Sequence, residues 1–193
     1  MPLLDHFRPP ISRQHSWESF HSNWATRLAD LLNEEFPPEF LAEEQTKLPS
    51  RYEILITKDQ AFVGVIELIS QSNKDRAEEG KAFATKAASY LHQGVSLILV
   101  DVVTSRGGNL HNDTLDQFSM APSARFPNSV DLYASAFQPQ LRNEQPEVEL
   151  WLKPLSLGAE LPTLPLRLTG DLFVPVDLEA SYSEACQRRR IAG

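Results

Sequence analysis

Cysteine is almost missing from this chain: Cys186 is the only one in 193 residues. No internal disulfide and no all-cysteine metal site can form, and a reducing compartment, the cytoplasm, is the default expectation. Long apolar runs are missing too. None approaches the roughly 20 residues that a membrane helix needs. Residues 1–15, with Pro2, Asp5, Pro9 and Pro10, hold no apolar stretch of signal-peptide length, so the expectation is a soluble, unprocessed, cytoplasmic protein. Positive charge is in deficit, with 18 Lys and Arg against 26 Asp and Glu and a formal charge of −8. That argues against a broad, sequence-independent grip on nucleic acid, whose affinity comes mostly from cations neutralising phosphates, but does not exclude a small basic cleft. There is no phosphate-cradling glycine loop, no nucleophile elbow around Ser70, no base placed for Cys186 and no internal repeat.

What is present fits one α/β domain over 1–193, with a core at 16–137 and a C-terminal extension at 138–193; 41% of the residues are hydrophobic. Residues 1–15 read as an arm without a regular element. Ser16 is placed to cap a helix whose stripe of Trp17, Phe20, Trp24, Leu28, Leu31 and Leu32 faces the core and which ends before Pro37-Pro38. His15 and His21, flanking the stripe, read as surface or capping residues. Phe40–Ser50 reads as a charged connector. Tyr52–Thr57 and Ala61–Ile69 read as a hairpin around Lys58-Asp59-Gln60. Further on, Thr104–Asn109 is a loop, His111–Phe118 a short helical turn and Met120–Asn128 coil. Val130–Phe137 and Val148–Leu152 are strands around a turn at Gln138–Pro146, Leu172–Val174 is a strand entry, and Leu178–Ile191 a terminal helix.

The organising stretch is 61–103. Two β-branched runs, Ala61–Ile69 and Val95–Val103, flank a helix-length segment, 75–92, and together read as a βαβ unit with strands covered on both faces. Charges inside such strands are costly unless satisfied, so Glu67 and Asp101 each call for a lysine, a metal or a shifted protonation state. If Thr57 faces Ala61, then Glu53 lies opposite Val65, and Glu53, Val65 and Glu67 share one face; a slip of one residue would separate the two acids. On the helix, Gly80, Ala84, Ala87, Ala88 and Leu91 form the sheet-facing stripe, Lys86 and Tyr90 share an adjoining face, and Gly94 is a natural residue to end it. Two carboxylates on neighbouring strands, backed by a lysine, are what magnesium-dependent phosphodiester hydrolysis requires.

Residues 52–103 resemble the PD-(D/E)XK restriction-endonuclease-like superfamily, and within it the Uma-type endonucleases. The chain as a whole more closely resembles the domain of unknown function 4058 family, through Trp17-Glu18-Ser19-Phe20-His21, Ile66–Lys74 and Val100–Val103, with Gln71-Ser72 replacing the Pro-Ala of that family's hallmark. The resemblance implies a restriction-endonuclease-like core: a mixed central sheet with flanking helices, plus extra C-terminal strands and a helix. It also implies Mg²⁺ or Mn²⁺ as cofactor, held by Glu53, Glu67 and Asp101, with Glu67, Lys74, Lys86 and Tyr90 as catalytic candidates. Ile69 stands where the motif has its lysine, so Lys74 or Lys86 would be a displaced replacement. Candidate partners are nucleic acid and, in a homodimer, a second copy of the chain, but not a membrane.

Blander readings compete. Glu67 and Lys86 can be a buried ion pair that fixes helix to sheet, in a non-catalytic binding or assembly module that keeps the fold. Asp101 can cap the turn after its strand. His6 and His111-Asn112-Asp113 match no zinc spacing and read as surface loop.

Overall fold

The computed structural model describes residues 1–47, 51–118, 120–142 and 144–191. It is a mixed α/β protein. The elements in chain order are α1 (Ile11–Gln14), α2 (Trp17–Glu35), β1 (Phe40–Lys47), β2 (Arg51–Lys58), β3 (Ala61–Leu68), α3 (Ala77–His92), β4 (Ser96–Asp101), α4 (Leu110–Leu115), β5 (Tyr133–Arg142), β6 (Gln145–Pro154), β7 (Thr163–Thr169), β8 (Leu172–Asp177) and α5 (Leu178–Arg188). Six strands form one sheet in the order β1-β2-β3-β4-β5-β6, while β7 and β8 pair as a separate hairpin. All neighbours in the large sheet are antiparallel except β3 and β4, the parallel pair joined by α3.

Each face of the sheet has its own core. On one side Ile54, Ile56, Ile66, Leu68, Ile98 and Val100 pack under α2, α5 and the β7–β8 hairpin. On the other Leu55, Val65, Leu97, Leu99, Tyr133 and Phe137 pack under α3 and α4. Gly64 lets the hairpin come close, since a Cβ there would meet Leu166 Cδ1 at 3.4 Å. Helix α2 forms as its sequence dictates: Ser16 Oγ accepts the Ser19 N–H at 3.2 Å, Glu18 lies in the first turn, and the Trp17, Phe20, Trp24, Leu28 stripe is buried. Trp24 also donates its indole N–H to Ser181 Oγ of α5 at 3.0 Å, tying the two helices together.

Several expectations are corrected. Phe40–Lys47 is an edge strand rather than a connector, with Leu48–Ser50 outside the described residues. Only Phe40 and Ala42 turn inward, and the charges on its open side, which protect an edge from further pairing, hide the alternation. The Gln138–Pro146 segment is largely strand, with β5 running to Arg142 and β6 starting at Gln145; Asn143 lies outside the described residues. Its exposed polar composition imitates a long turn because this end of the hairpin projects beyond the core. Residues 1–15 include the one-turn helix α1, and Leu3 exchanges backbone hydrogen bonds with Gly158 and Ala159, both at 2.8 Å. His6, His21 and His111 are buried, not surface residues.

Trp24 is 1% exposed, so Trp24→Ala removes core volume and leaves Ser181 without that donor. A loss of about 3–5 kcal/mol is expected, read as a lower midpoint in urea denaturation.

Candidate functional site

The geometry of Glu53 and Glu67 is set by a hairpin with a compensating irregularity. Asp59 and Gln60 both have positive φ, 49° and 68°, as a two-residue type I′ turn requires, and Lys58 pairs with Ala61. Continued without interruption, that register would set Glu53 opposite Ile66. A shift between Ile56 and Thr57 skips Val63, so that Ile56 pairs with Gly64 and Glu53 lies directly opposite Glu67. The expected partner of Glu53, Val65, is displaced by two residues, which preserves the face. Both carboxylates therefore point toward α3.

Lys86, in the third turn of α3, lies between them. Its ammonium donates to Glu53 Oε2 at 2.9 Å and forms an ion pair with Glu67 Oε1. The Tyr90 hydroxyl, one turn further on, donates to the same Glu53 oxygen at 3.4 Å. Glu53 is 2% and Glu67 4% exposed, whereas the Lys86 side chain is 31% exposed and lines a shallow groove along the outer face of α3. Burial pushes the Glu67 carboxyl up to about 7, with Lys86 opposing and Glu53 reinforcing the shift. Burial depresses the Lys86 ammonium, but the two carboxylates outweigh it and hold the group above its ordinary value. Burial, followed by the Glu53 charge, lifts Tyr90 to about 12.

Asp101 and Lys74 form a second centre. Lys74 Nζ lies 2.5 Å from Asp101 Oδ2, with both side chains almost fully buried. Asp101 Oδ1 accepts the Val103 N–H at 3.1 Å, the turn-capping role weighed for it from sequence. Burial raises the carboxyl to about 6 against the pull of Lys74. The Ser70–Lys74 run is built to deliver that lysine: Asn73 Oδ1 accepts from the Ser70 N–H at 2.9 Å and the Ser70 hydroxyl at 2.8 Å, closing a short 3-10 turn.

The candidates thus divide. Glu53, Glu67, Lys86 and Tyr90 come together, while Lys74 serves Asp101 and neither joins the glutamate pair. Among the described residues no group of three His, Cys, Asp or Glu is arranged to hold a metal ion. The sequence reading missed the buried support around Asp101. His111 N–H donates to Tyr133 Oη at 3.1 Å, His111 Nδ1 lies 3.0 Å from Ser135 Oγ, and its Nε2 donates to the Ala124 carbonyl at 2.9 Å. A lone serine inside Tyr-Ala-Ser-Ala-Phe was the one available signal. Comparison with family models, curated proteins and solved structures found no match.

The raised Glu67 carboxyl gives a signed pH dependence. An acid that holds its proton longer in the folded chain stabilises the fold below its ordinary value, near 4.5, and loses that contribution as pH rises through about 7. His6, His21 and His111 act oppositely, since burial lowers them to about 4, 3 and 4 and their contribution is lost on acidification. They are common to both proteins when wild type is compared with Glu67→Gln. Relative to that variant, the wild type should lose stability between pH 4.5 and 7, as followed by paired denaturation curves.

Proposed function

We propose that this chain is a divergent metal-dependent phosphodiesterase with a restriction-endonuclease-like core, acting on nucleic acid with Mg²⁺ or Mn²⁺. The observation that carries the reading is the Lys86 ammonium seated against two directly opposed carboxylates, Glu53 and Glu67. The order α2, β1-β2-β3, α3, β4, with helices on both sheet faces, supports the core assignment. The donor set suits a hard divalent cation, and Mg²⁺ is commonly held by one or two carboxylates together with substrate phosphates rather than by an all-protein cage. Glu53 and Glu67 would hold the ion, which when bound supplies an acidified water and offsets phosphodiester charge. Lys86, released from the carboxylates, would orient that water or neutralise the phosphate, and Tyr90 would steady Glu53. A site this small needs no broad basic surface, in keeping with the acidic chain.

The burial of both carboxylates favours a second reading: a non-catalytic binding or assembly module in which Lys86 fixes α3 to the hairpin. Because Lys86 pairs with both acids, Glu67→Gln leaves it a partner in Glu53, so stability alone does not separate the readings. Metal does. Under the catalytic reading Mn²⁺ raises the melting temperature of the wild type, by the equivalent of about 2.7 kcal/mol at a hundredfold excess over its dissociation constant, and Glu67→Gln abolishes the shift. Lys86→Met should lose several kcal/mol by leaving two facing buried carboxylates, on the order of 3–5, and Mn²⁺ should restore part of it. Melts of wild type and Lys86→Met that both ignore Mn²⁺ would leave only the assembly module.

A further inference from the structure

The large sheet ends in two edges that are finished differently. Beyond Ala42, β1 carries Glu43, Glu44 and Lys47 among polar residues, a common defence of an open edge. β6 instead presents Val148, Leu150 and Leu152, half-buried at the rim of the core under α3 and α4, and among the described residues no strand lies beyond it.

The pairing of β6 with β5 decides which of its backbone groups are open. The Leu155 N–H donates to the Leu132 carbonyl at 2.9 Å, and the same register runs unbroken along the hairpin, from Tyr133 opposite Pro154 to Arg142 opposite Gln145. Antiparallel pairs alternate between bonded and non-bonded. The odd-numbered residues of β6 therefore bond to β5, and the even-numbered ones turn their N–H and C=O groups outward. Pro146 and Pro154 obey this, as does Pro139 of β5 opposite Val148, since each falls in the set that owes its neighbour no N–H. The open edge thus offers the N–H groups of Val148, Leu150 and Leu152, with a proline at either end.

That stretch is its own complement. Turned end for end about Leu150, it sets Val148 opposite Leu152, Glu147 opposite Lys153 and proline opposite proline. Every open N–H then meets an outward carbonyl, each pair exchanging two hydrogen bonds. Among the described residues Lys153 makes no ion pair, and Glu147 makes an exposed one with Arg142 at 3.3 Å, so both remain within reach of a partner. Centring the pairing on Glu149 instead would set that carboxylate against itself. Centring it on Trp151 would set Val148 against Pro154, which has no N–H to return. We propose that two copies of the chain associate through β6, antiparallel about Leu150, and join their sheets into one. The two-fold contact uses up both edges, so assembly stops at the dimer. Its axis is perpendicular to the sheet, which puts α3 and the Lys86 groove on the same side in both copies. The contact shares no residue with Glu53 or Glu67 and does not depend on the metal reading.

Sedimentation velocity of the full chain over about a hundredfold range of concentration tests this, because a contact of one strand per copy is small and its occupancy follows mass action. The wild type should pass from monomer to dimer, and Glu67→Gln should do the same. Leu150→Pro removes the central N–H, which β5 does not use, and puts a ring into the contact. It should stay monomeric throughout while melting with the dilute wild type. Lys153→Glu, at an exposed position, should leave the fold intact and weaken the dimer about tenfold by facing Glu147 in both halves of the contact. Adding Glu147→Lys to it should recover the dimer. A wild type that stays monomeric at every concentration overturns the proposal, as does a dimer that ignores Lys153→Glu or survives in folded Leu150→Pro.

Discussion

Glu53 and Glu67 face each other across two strands with one ammonium to share, and much of the molecule is arranged around that shortage of charge. Two ionised carboxylates against one cation leave a net negative charge in a place that water barely reaches, and removing the cation from such a group costs about 3–5 kcal/mol. Near neutral pH the protein relieves this by letting Glu67 keep its proton. The arrangement also couples elements distant in sequence, because Lys86 of α3 holds the β2–β3 hairpin beneath it while Tyr90 supports Glu53 from the next turn. Helix α3 is thus fixed to the sheet by its apolar stripe and, on the neighbouring face, by charge.

That meeting of carboxylates depends on one skipped residue. A two-residue turn at Asp59-Gln60 sets a register in which Glu53 and Glu67 would point to opposite faces, and the bulge at Val63 restores the parity. Side-chain period two makes such a slip all or none. With the bulge absent, one carboxylate would be driven into the apolar layer under α2 that holds Ile54, Ile56 and Ile66. Burial of a charge in the wrong layer is therefore a strong penalty against the alternative pairing, and the bulge is as much a part of the site as the acids are.

The fold's strong periodic elements were legible in the sequence. The Trp17–Leu32 stripe, the small-residue stripe from Gly80 to Leu91 and the continuously apolar β3 and β4 each repeat one pattern for long enough to be unambiguous, and Gly94 ends α3 with a φ of +77°. Legibility failed where exposure erased the pattern, as in β1 and in the projecting ends of β5 and β6. Within the site, the sequence carried the identity of Glu53, Glu67, Lys86 and Tyr90, because helical spacing places the last two on one face. It did not carry the allocation of lysines. Whether Lys74 serves Glu67 or Asp101 is decided by the 3-10 turn that Asn73 closes on Ser70, a tertiary geometry with no periodic signature. The histidines failed for a related reason: His6, His21 and His111 are buried by elements far from them in sequence, and nothing local marks them as neutral core residues.

The two lysine–acid centres bracket the crossover from β3 to β4. Lys74 enters at the loop before α3 and engages Asp101 at the end of β4, while Lys86 leaves the middle of α3 for the hairpin on the other side. An apolar crossover of the same shape would be cheaper, because buried ion pairs repay their desolvation poorly and hydrophobic replacements are often neutral or stabilising. Placing both pairs here thus sacrifices stability for something other than stability. Register specificity accounts for part of it, since either acid in a slipped strand would lose its cation. It does not account for the asymmetry between the centres: Asp101 is matched one to one and sealed from water, whereas the glutamate pair is left a cation short beneath a lysine that still reaches solvent. The imbalance of the second is met instead by the proton that Glu67 holds up to about pH 7, so the charge of this centre follows pH.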